Sequence, residues 1–174
     1  MKTLVTGGVR SGKSFHAETL VVAEQRVTYI APGSTNDADP DWVARVSEHQ
    51  ARRPSHWVTI ETTDLERAIA MADGAVVVDC LGTWVTALID ELDGWDTTLD
   101  EWEPAFLDRV EHAVVAMTAH ADPVVVVTNE VGWGVVPEHR SGRVFRDLLG
   151  RVNQRFAMEC DQVILVVSGR ALTL

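Results

Sequence analysis

One short motif near the first residue limits the fold of this chain more than any other feature. The stretch Gly7-Gly8-Val9-Arg10-Ser11-Gly12-Lys13-Ser14 matches G-x-x-x-x-G-K-[ST] and lies between an apolar, strand-like run and a helical stretch. Its glycines allow the backbone to wrap closely around a phosphate, and N–H groups at the helix N-terminus supply donors and positive potential. The motif predicts that Lys13 contacts the β- and γ-phosphates of a nucleotide and that the Ser14 hydroxyl binds Mg²⁺. The alternative, a glycine-rich turn that arose by chance, is disfavoured by the flanking strand and helix.

A loop of this kind usually works with a carboxylate at the end of another buried strand. Asp79 closes the apolar run Ala75-Val76-Val77-Val78 and is the candidate for binding Mg²⁺ or its water shell. An aspartate at a strand end can also simply cap the helix that follows. Both interpretations of Asp79 are open at this point.

Short β-rich runs alternate with helical stretches along the whole chain. Several runs are continuously apolar, as in Val124-Val125-Val126-Val127, which is typical of strands that are buried on both faces. The alternation predicts an α/β fold with a mainly parallel sheet, right-handed crossovers and helices on both faces. The predicted strands cover residues 2–6, 27–31, 57–61, 75–79, 124–128 and 162–167.

Helix signals occupy the intervals between these strands. Asp39-Pro40 has the pattern of an N-cap followed by proline at the first helical position, and this helix is expected to run to about Arg52 and end before Pro54. Thr63-Asp64-Leu65-Glu66 has the capping-box pattern of another helix start. The remaining predicted helices cover 13–24, a long segment around 106–117, and 142–158. The acidic stretch 93–104 is expected to be a surface connection, so residues 1–174 are predicted to form a single P-loop nucleotide-binding catalytic domain.

The composition argues against several classes of protein. The 174 residues include 26 Asp and Glu against 15 Lys and Arg, a formal net charge of −11, and nucleic-acid binding depends on neutralising phosphates. The chain contains no run of about 18 apolar residues, so we expect no membrane span. The sequence enters a strand-like run at once, which leaves no room for a signal peptide. Cys80 and Cys160 lie far apart without a metal-ligand spacing. We therefore expect a cytoplasmic protein with reduced thiols and no nucleic-acid or membrane partner.

A basic cluster surrounds one histidine of the predicted helix 40–52. Arg45, His49 and either Arg52 or Arg53 share a helix face at i, i+3 and i+4 spacings. A neutral imidazole can attack phosphorus, and neighbouring guanidinium groups can bind the phosphates and a departing pyrophosphate. Spacing alone favours a plainer interpretation, a solvent-exposed histidine on a basic face, so both remain open.

Blocks of sequence from both halves of the chain match a known family. The first half contributes Val5-Thr6 with the phosphate loop, His16-Ala17-Glu18, Tyr29-Ile30-Ala31, Ala44-Arg45-Val46 ahead of His49, and Arg53-Pro54. The second half contributes Thr128-Asn129-Glu130-Val131-Gly132, Val136-Pro137-Glu138, Gly150-Arg151-Val152-Asn153-Gln154-Arg155 and Val166-Val167-Ser168-Gly169. In this order, and from end to end, the chain resembles the bifunctional cobinamide kinase/cobinamide-phosphate guanylyltransferases of cobalamin biosynthesis.

This resemblance implies an enzyme with two successive activities. It would phosphorylate the aminopropanol hydroxyl of adenosylcobinamide with ATP or GTP, and would then transfer GMP from GTP onto that phosphate with release of pyrophosphate. His49 matches the histidine that carries GMP in the family, so the resemblance favours the nucleophile over the solvent-exposed interpretation. It also implies a RecA-like P-loop fold and a homotrimer with sites formed between subunits.

The same resemblance implies which residues contact the nucleotide and the metal. Nucleotide contacts are expected from the loop Gly7–Ser14, from Ala31-Pro32-Gly33, from Gln50-Ala51-Arg52-Arg53, and from the acidic residues Glu61 and Asp79. Ser14 and Asp79 would bind Mg²⁺. Relatives can have a second histidine where this chain has Glu48, and some have glutamate at the position of Asp79.

Two other functions remain as alternatives at the level of sequence. In the first, the chain is a monofunctional P-loop kinase of a small molecule and His49 has no role. In the second, it is a regulatory protein that binds nucleotide without metabolising it. The corrinoid-contacting residues are not predicted; of the six tryptophans, most are expected in the core or an interface, and Trp133, beside the Asn129–Gly132 block, is the best candidate for stacking on a large flat ligand.

Overall fold

A single sheet runs through the computed structural model, which describes residues 1–33, 43–44, 47, 50–51 and 53–174. Within these residues the sheet has seven strands in the order β3-β2-β4-β5-β1-β6-β7. Neighbours from β3 to β6 pair in parallel, and β7 pairs with β6 in antiparallel orientation. The strands are β1 (Lys2–Gly7), β2 (Val27–Ala31), β3 (Val58–Glu61), β4 (Ala75–Asp79), β5 (Val124–Asn129), β6 (Gln162–Val167) and β7 (Arg170–Thr173).

Helices cover both faces of this sheet. They are α1 (Lys13–Val21), α2 (Leu65–Ala70), α3 (Leu81–Glu91), α4 (Leu99–Ala119) and α5 (Arg140–Met158). Alternate strand residues point to opposite faces, so one set packs with α1 and the other with α2 to α5. On the first face Val5 and Val77 share a core with Ala17, and on the second face Val78 and Val126 share a core with α3, α4 and α5. The predicted α/β class with a mainly parallel sheet is confirmed.

Strand β7 was not predicted. It follows β6 through a two-residue turn in which Ser168 and Gly169 both have positive φ, 50° and 76°. Two such residues in succession form the kind of tight turn that matches the twist of a β-hairpin. All four residues of β7 are exposed, which explains why no buried apolar pattern identifies it.

Helix α3 was also absent from the predictions. Seven of its eleven residues are buried, and Thr83, Thr86 and Asp90 form a narrow polar stripe at helical spacing, so the pattern of an amphipathic helix was present in the sequence and was overlooked. Its position directly after β4 brings its first turn to the edge of the sheet where the phosphate loop lies.

Two local predictions were wrong. The expected surface connection 93–104 is partly helical, since α4 begins at Leu99 and contains Pro104. Trp102 and Phe106 pack edge-on at 6.0 Å between ring centroids and are buried, which holds this first part of the helix to the core. The cap of α2 is Asp64, not Thr63, because the Asp64 carboxylate accepts a 3.1 Å hydrogen bond from the N–H of Arg67.

The helix predicted over residues 40–52 lies largely outside the described residues. Among the helices that the structure does describe, none combines the length and apolar character needed to cross a membrane.

Candidate nucleotide-binding site

The segment that joins β1 to α1 has the backbone of a phosphate loop. Gly12 is the residue immediately before α1 and has φ of +93°, a conformation that residues with a Cβ rarely adopt. Gly7 is required for a different reason, because a Cβ at that position would lie 2.5 Å from the carbonyl oxygen of Val166. The two glycines therefore let the loop close tightly between β1 and β6 and direct the N-terminus of α1 toward its interior.

Lys13 is held inside this loop. Its side chain is only 5% exposed, and Nζ donates a 3.2 Å hydrogen bond to the carbonyl oxygen of Gly8. The N–H of Ser11 also donates to Gly8 O, at 3.2 Å, and the N–H of Gly169 donates to Ser11 O at 2.8 Å. An ammonium group thus lies in the ring of backbone that the sequence motif predicts will surround a phosphate.

Ser11 adds an unusual feature to the loop. Its hydroxyl is buried and has no hydrogen-bond partner among the described residues. Buried hydroxyls in folded proteins nearly always have a partner, so an unsatisfied one inside a phosphate loop fits a loop that completes its hydrogen bonds with a ligand.

The carboxyl ends of β2, β3 and β4 meet at the same edge as this loop, because these strands are parallel to β1. Ala31 and Glu61 are paired in register at the ends of β2 and β3. Asp79, at the end of β4, is half-buried and lies opposite Val127 of β5. The sheet order therefore brings Asp79 to within two strands of the phosphate loop.

Asp79 is engaged by a side chain that sequence reasoning did not assign to the site. Tyr29, 1% exposed in β2, donates a 2.6 Å hydrogen bond from Oη to Asp79 Oδ2. The guanidinium carbon of Arg53 lies 3.4 Å from the centroid of the Tyr29 ring. Burial, and then the charge of Asp79, raise the pKa of Tyr29 well above its usual value, so the phenol remains a donor. A buried tyrosine in a strand is ordinary core by pattern; the one sequence signal that included it was the family-matching block Tyr29-Ile30-Ala31, which gave it no role.

The first turn of α3 is capped without Asp79. Thr83 Oγ1 accepts from the Cys80 N–H at 3.4 Å and donates to the Cys80 carbonyl at 2.8 Å, which places the cap at Cys80. The interpretation of Asp79 as a helix cap is therefore wrong. Burial and the Asp79 charge raise the pKa of the Cys80 thiol, and Cys80 and Cys160 are both free cysteines.

A second polar network lies at the end of β5. Thr128 Oγ1 donates to Asn153 Oδ1 at 2.6 Å, and Asn153 Nδ2 donates to the carbonyl oxygen of Asn129 at 3.1 Å. The N–H of Glu130 donates to Gly7 O at 3.2 Å. These contacts attach α5 and the end of β5 to the start of the phosphate loop.

The predicted site residues divide into three groups. The first group lies together at the carboxyl edge of the sheet and consists of the phosphate loop, Ala31, Asp79 and Arg53. Gly33 packs on α3, since a Cβ added at Gly33 would lie 3.3 Å from Thr83 Cβ. Pro32 is buried beside them, whereas Glu61, Gln50 and Ala51 are exposed. His49, Arg45 and Arg52 lie outside the described residues.

The oxygen ligands at this edge match the requirements of Mg²⁺ better than those of a transition metal. Ser14 in the first turn of α1 is half-buried, and Asp79 presents a carboxylate. A hydroxyl and a single carboxylate suit an ion that keeps several waters and shares the phosphates of its nucleotide. In the described part of the chain no group of three or more His, Cys, Asp or Glu could hold a metal ion.

A cleft of about 310 Å³ adjoins the phosphate loop on the side of β6. Residues 8–11 of the loop form one wall, residues 165–168 form another, and Glu130 and Trp133 complete the lining. Trp133 is 76% exposed, which is unusual for so large an apolar side chain.

Comparisons with known proteins agree with this architecture. The family model described as "Cobinamide kinase / cobinamide phosphate guanyltransferase" matches residues 3–174. The bifunctional adenosylcobalamin biosynthesis proteins CobU of Salmonella typhimurium and Escherichia coli are each 42% identical, over 97% of this chain and 97% of theirs. The protein CobP of Pseudomonas aeruginosa, with the same description, is 34% identical over 100% of this chain and 97% of its own.

The fold also resembles that of a distant solved structure. An ATPase from the type III secretion system of pathogenic bacteria superposes with a TM-score of 0.59 at 10% sequence identity, and the match covers 94% of this chain and 50% of that one. This likeness confirms the predicted P-loop NTPase fold. Because the family model spans nearly all of the chain and three relatives exceed 30% identity over its length, the chain belongs to the cobinamide kinase/cobinamide phosphate guanyltransferase family, a family of transferases.

Proposed function

We propose that this chain phosphorylates adenosylcobinamide with ATP or GTP and then transfers GMP from GTP to adenosylcobinamide phosphate. The observation that supports this most strongly is a closed phosphate loop, with Lys13 inside it and Asp79 at the same sheet edge, in a chain that matches its family over residues 3–174. Of the two alternatives, a monofunctional kinase leaves one of the family's two activities unexplained, and a regulatory nucleotide-binding protein leaves both unexplained.

In the first step the corrinoid hydroxyl attacks the γ-phosphorus of the nucleoside triphosphate. A new P–O bond forms, the bond from the γ-phosphorus to the β-phosphate oxygen breaks, the hydroxyl proton is released to solvent, and the nucleoside diphosphate departs. Lys13 and the loop N–H groups of residues 8–14 neutralise the negative charge on the transferring group and on the leaving oxygen. Movement of Lys13 Nζ from the Gly8 carbonyl to a phosphate oxygen replaces a neutral acceptor with an anionic one, which strengthens the interaction of the ammonium.

Ser14 and Asp79 are the residues that would hold Mg²⁺ in this step. Bound there, the ion would neutralise charge on the phosphate oxygens. The hydrogen bond from Tyr29 orients the Asp79 carboxylate independently of the ion.

In the second step an imidazole nitrogen of His49 attacks the α-phosphorus of GTP. A P–N bond forms, the bond to the β-phosphate oxygen breaks, and pyrophosphate leaves with its electron pair. An oxygen of adenosylcobinamide phosphate then attacks the same phosphorus, and the P–N bond breaks to release adenosylcobinamide-GDP and free histidine. Arg53, three residues beyond Gln50 and seated on the Tyr29 ring, is available to bind phosphate oxygens in this exchange.

We assign the corrinoid to the cleft beside the phosphate loop. Loop residues 8–11 form its wall, so a ligand in the cleft can present a hydroxyl to the γ-phosphate. Trp133 offers an exposed aromatic face for stacking against a large flat ring system. Residues 1–174 then form one catalytic domain, and we propose that it assembles as a homotrimer in the cytoplasm, which light scattering on the purified protein would test.

The decisive experiment is to incubate the protein with GTP labelled at the α-phosphate. Label that is stable to alkali, labile to acid and lost in His49→Ala supports guanylyl transfer, and the absence of label refutes it. A mass shift of the corrinoid with ATP tests the kinase step separately. A protein that phosphorylates the corrinoid but takes up no label is the monofunctional kinase, and one that does neither is the regulatory protein.

A further inference from the structure

Tyr29 lies where two parts of the proposed site meet. The side chain belongs to β2 and is packed with the core that β1, β4 and α1 share, so the ring has little freedom to move. Asp79 is 50 residues away in sequence and Arg53 comes from the segment that follows His49. The pairing of β2 with β4 brings Tyr29 near Asp79, and the pairing of β2 with β3, whose Thr59 binds Arg53, brings Tyr29 near Arg53.

The contacts of Tyr29 differ at its edge and its face. At the edge, Oη donates the 2.6 Å hydrogen bond to Asp79 Oδ2. Over the face, the Arg53 guanidinium lies 3.4 Å from the ring centroid, a geometry in which the negative ring face attracts the cation. Arg53 has a second anchor, because Nη1 donates a 3.2 Å hydrogen bond to Thr59 Oγ1 on β3.

These contacts restrict both charged groups. A hydrogen bond from a buried, immobile donor restricts rotation of the Asp79 carboxylate. The flat ring restricts the Arg53 guanidinium to one plane.

We infer that Tyr29 is a positioning residue that holds Asp79 and Arg53 in one arrangement and so joins the site of the kinase step to the site of guanylyl transfer. The roles given to the two charged residues rest on the proposed function, whereas the arrangement itself does not. Tyr29 touches neither substrate; it acts through the two residues that it orients.

Two substitutions of Tyr29 test the contact of its hydroxyl with Asp79 separately from the contact of its ring face with Arg53. Tyr29→Phe keeps the ring below Arg53 and removes the donor to Asp79. We expect the Mg²⁺ concentration for half-maximal binding of a fluorescent GTP analogue to rise about tenfold, as expected for the loss of one hydrogen bond to a charged group. Guanylylation of His49 at saturating Mg²⁺ stays near the unsubstituted rate. Tyr29→Leu also removes the ring face, and both the Mg²⁺ response and guanylylation should be impaired.

Thr59→Val is the matched control. It removes the other anchor of Arg53 and leaves Tyr29 and Asp79 unchanged, so the Mg²⁺ requirement should match that of the unsubstituted protein. If the Mg²⁺ requirement rose by a similar factor in Thr59→Val and Tyr29→Phe, the effect would come from a general loss of order at this edge of the sheet, and the inference would be overturned.

A spectroscopic measurement tests the arrangement without any turnover. Tyr29 is the sole tyrosine of the chain, so protein labelled with 3-fluorotyrosine gives a single fluorine resonance. We expect that resonance to shift in Asp79→Asn, in Arg53→Ala, and when Mg²⁺ and GTP are added together. A resonance indifferent to all three overturns the inference. If His49 takes up no label while the fluorine shifts occur, the proposed function fails and the arrangement around Tyr29 stands.

Discussion

Tyr29 and Asp79, at neighbouring strands of the sheet, are joined by a 2.6 Å hydrogen bond in which the buried phenol donates to the carboxylate. The bond gives the acidic residue of the phosphate-loop edge a fixed partner from outside the loop. An ionised carboxylate in a partly buried position is stabilised by such a donor, since hydrogen bonds to charged groups are stronger than neutral ones. The orientation of Asp79 is therefore part of the folded structure and does not depend on a ligand.

Removal of the Lys13 ammonium should abolish the kinase step while leaving the fold intact. For Lys13→Ala we expect kcat to fall by about 10²–10³, the loss typical when one preorganised donor is removed from a developing anion. Nucleotide affinity, measured by titration calorimetry, should fall as well. Arg170→Ala removes an exposed cation from β7 and is the control for net charge. Equal rates and affinities in Lys13→Ala and the unsubstituted protein would refute the loop assignment.

Replacement of Gly7 and of Gly150 by alanine should change the free energy of unfolding in opposite directions. A Cβ at Gly7 would lie 2.5 Å from the Val166 carbonyl oxygen, whereas at Gly150, inside α5, no atom lies within 4 Å. We expect Gly7→Ala to lower the free energy of unfolding and to weaken nucleotide binding. Gly150→Ala should raise the free energy of unfolding by about 0.5–1 kcal/mol, because alanine is the better helix former. Urea denaturation of both variants measures the difference, and a stable Gly7→Ala protein would contradict the tight closure of the loop.

Trp133→Ala should affect the corrinoid and leave the fold unchanged. The side chain is 76% exposed, so the free energy of unfolding should change by no more than about 0.5 kcal/mol. Loss of an aromatic stacking surface should raise KM for adenosylcobinamide several-fold and leave the affinity for GTP unaltered. Val135→Ala, a change in a 93% exposed neighbour that does not line the cleft, serves as the control. An unchanged corrinoid KM would place the acceptor elsewhere.

The Cys160 thiol should be poorly reactive until the protein unfolds. Burial, with the nearby charges of Asp161 and Glu159, raises its pKa from 9.0 to about 12. At mildly alkaline pH the native chain then has little thiolate at this position, so iodoacetamide should modify Cys160 much faster in urea than in buffer, by mass spectrometry of the digested protein.

The same shift makes stability depend on pH with a definite sign. Between pH 9.0 and about 12 the unfolded chain has lost the thiol proton and the folded chain retains it, so the contribution of Cys160 to stability is complete below pH 9.0 and decreases as the pH rises. The free energy of unfolding should therefore fall less steeply over this range in Cys160→Ala. Parallel slopes for the two proteins would show that the thiol titrates normally in the folded state.

Features formed by residues that are close together in the sequence could be predicted from the sequence. The phosphate loop is one continuous stretch that matches a known motif, so its place between β1 and α1 could be predicted from the sequence alone. The strands were predictable because burial on both faces demands continuous apolar runs. Asp79 could be proposed as a partner because it ends such a run.

Other features depended on the order of the strands. The sequence does not state that β2 pairs with β4 and β3. The first pairing places Tyr29 against Asp79, and the second places it below Arg53. Helix α3 was overlooked although its few polar residues recur at helical spacing, and β7 was missed because its exposed residues lack a buried alternation. The phosphate-loop motif could be read from the sequence because its chemistry needs only neighbouring backbone groups. The contacts of Asp79 with Tyr29, and of Tyr29 with Arg53, could not, because they form only when separate strands pair.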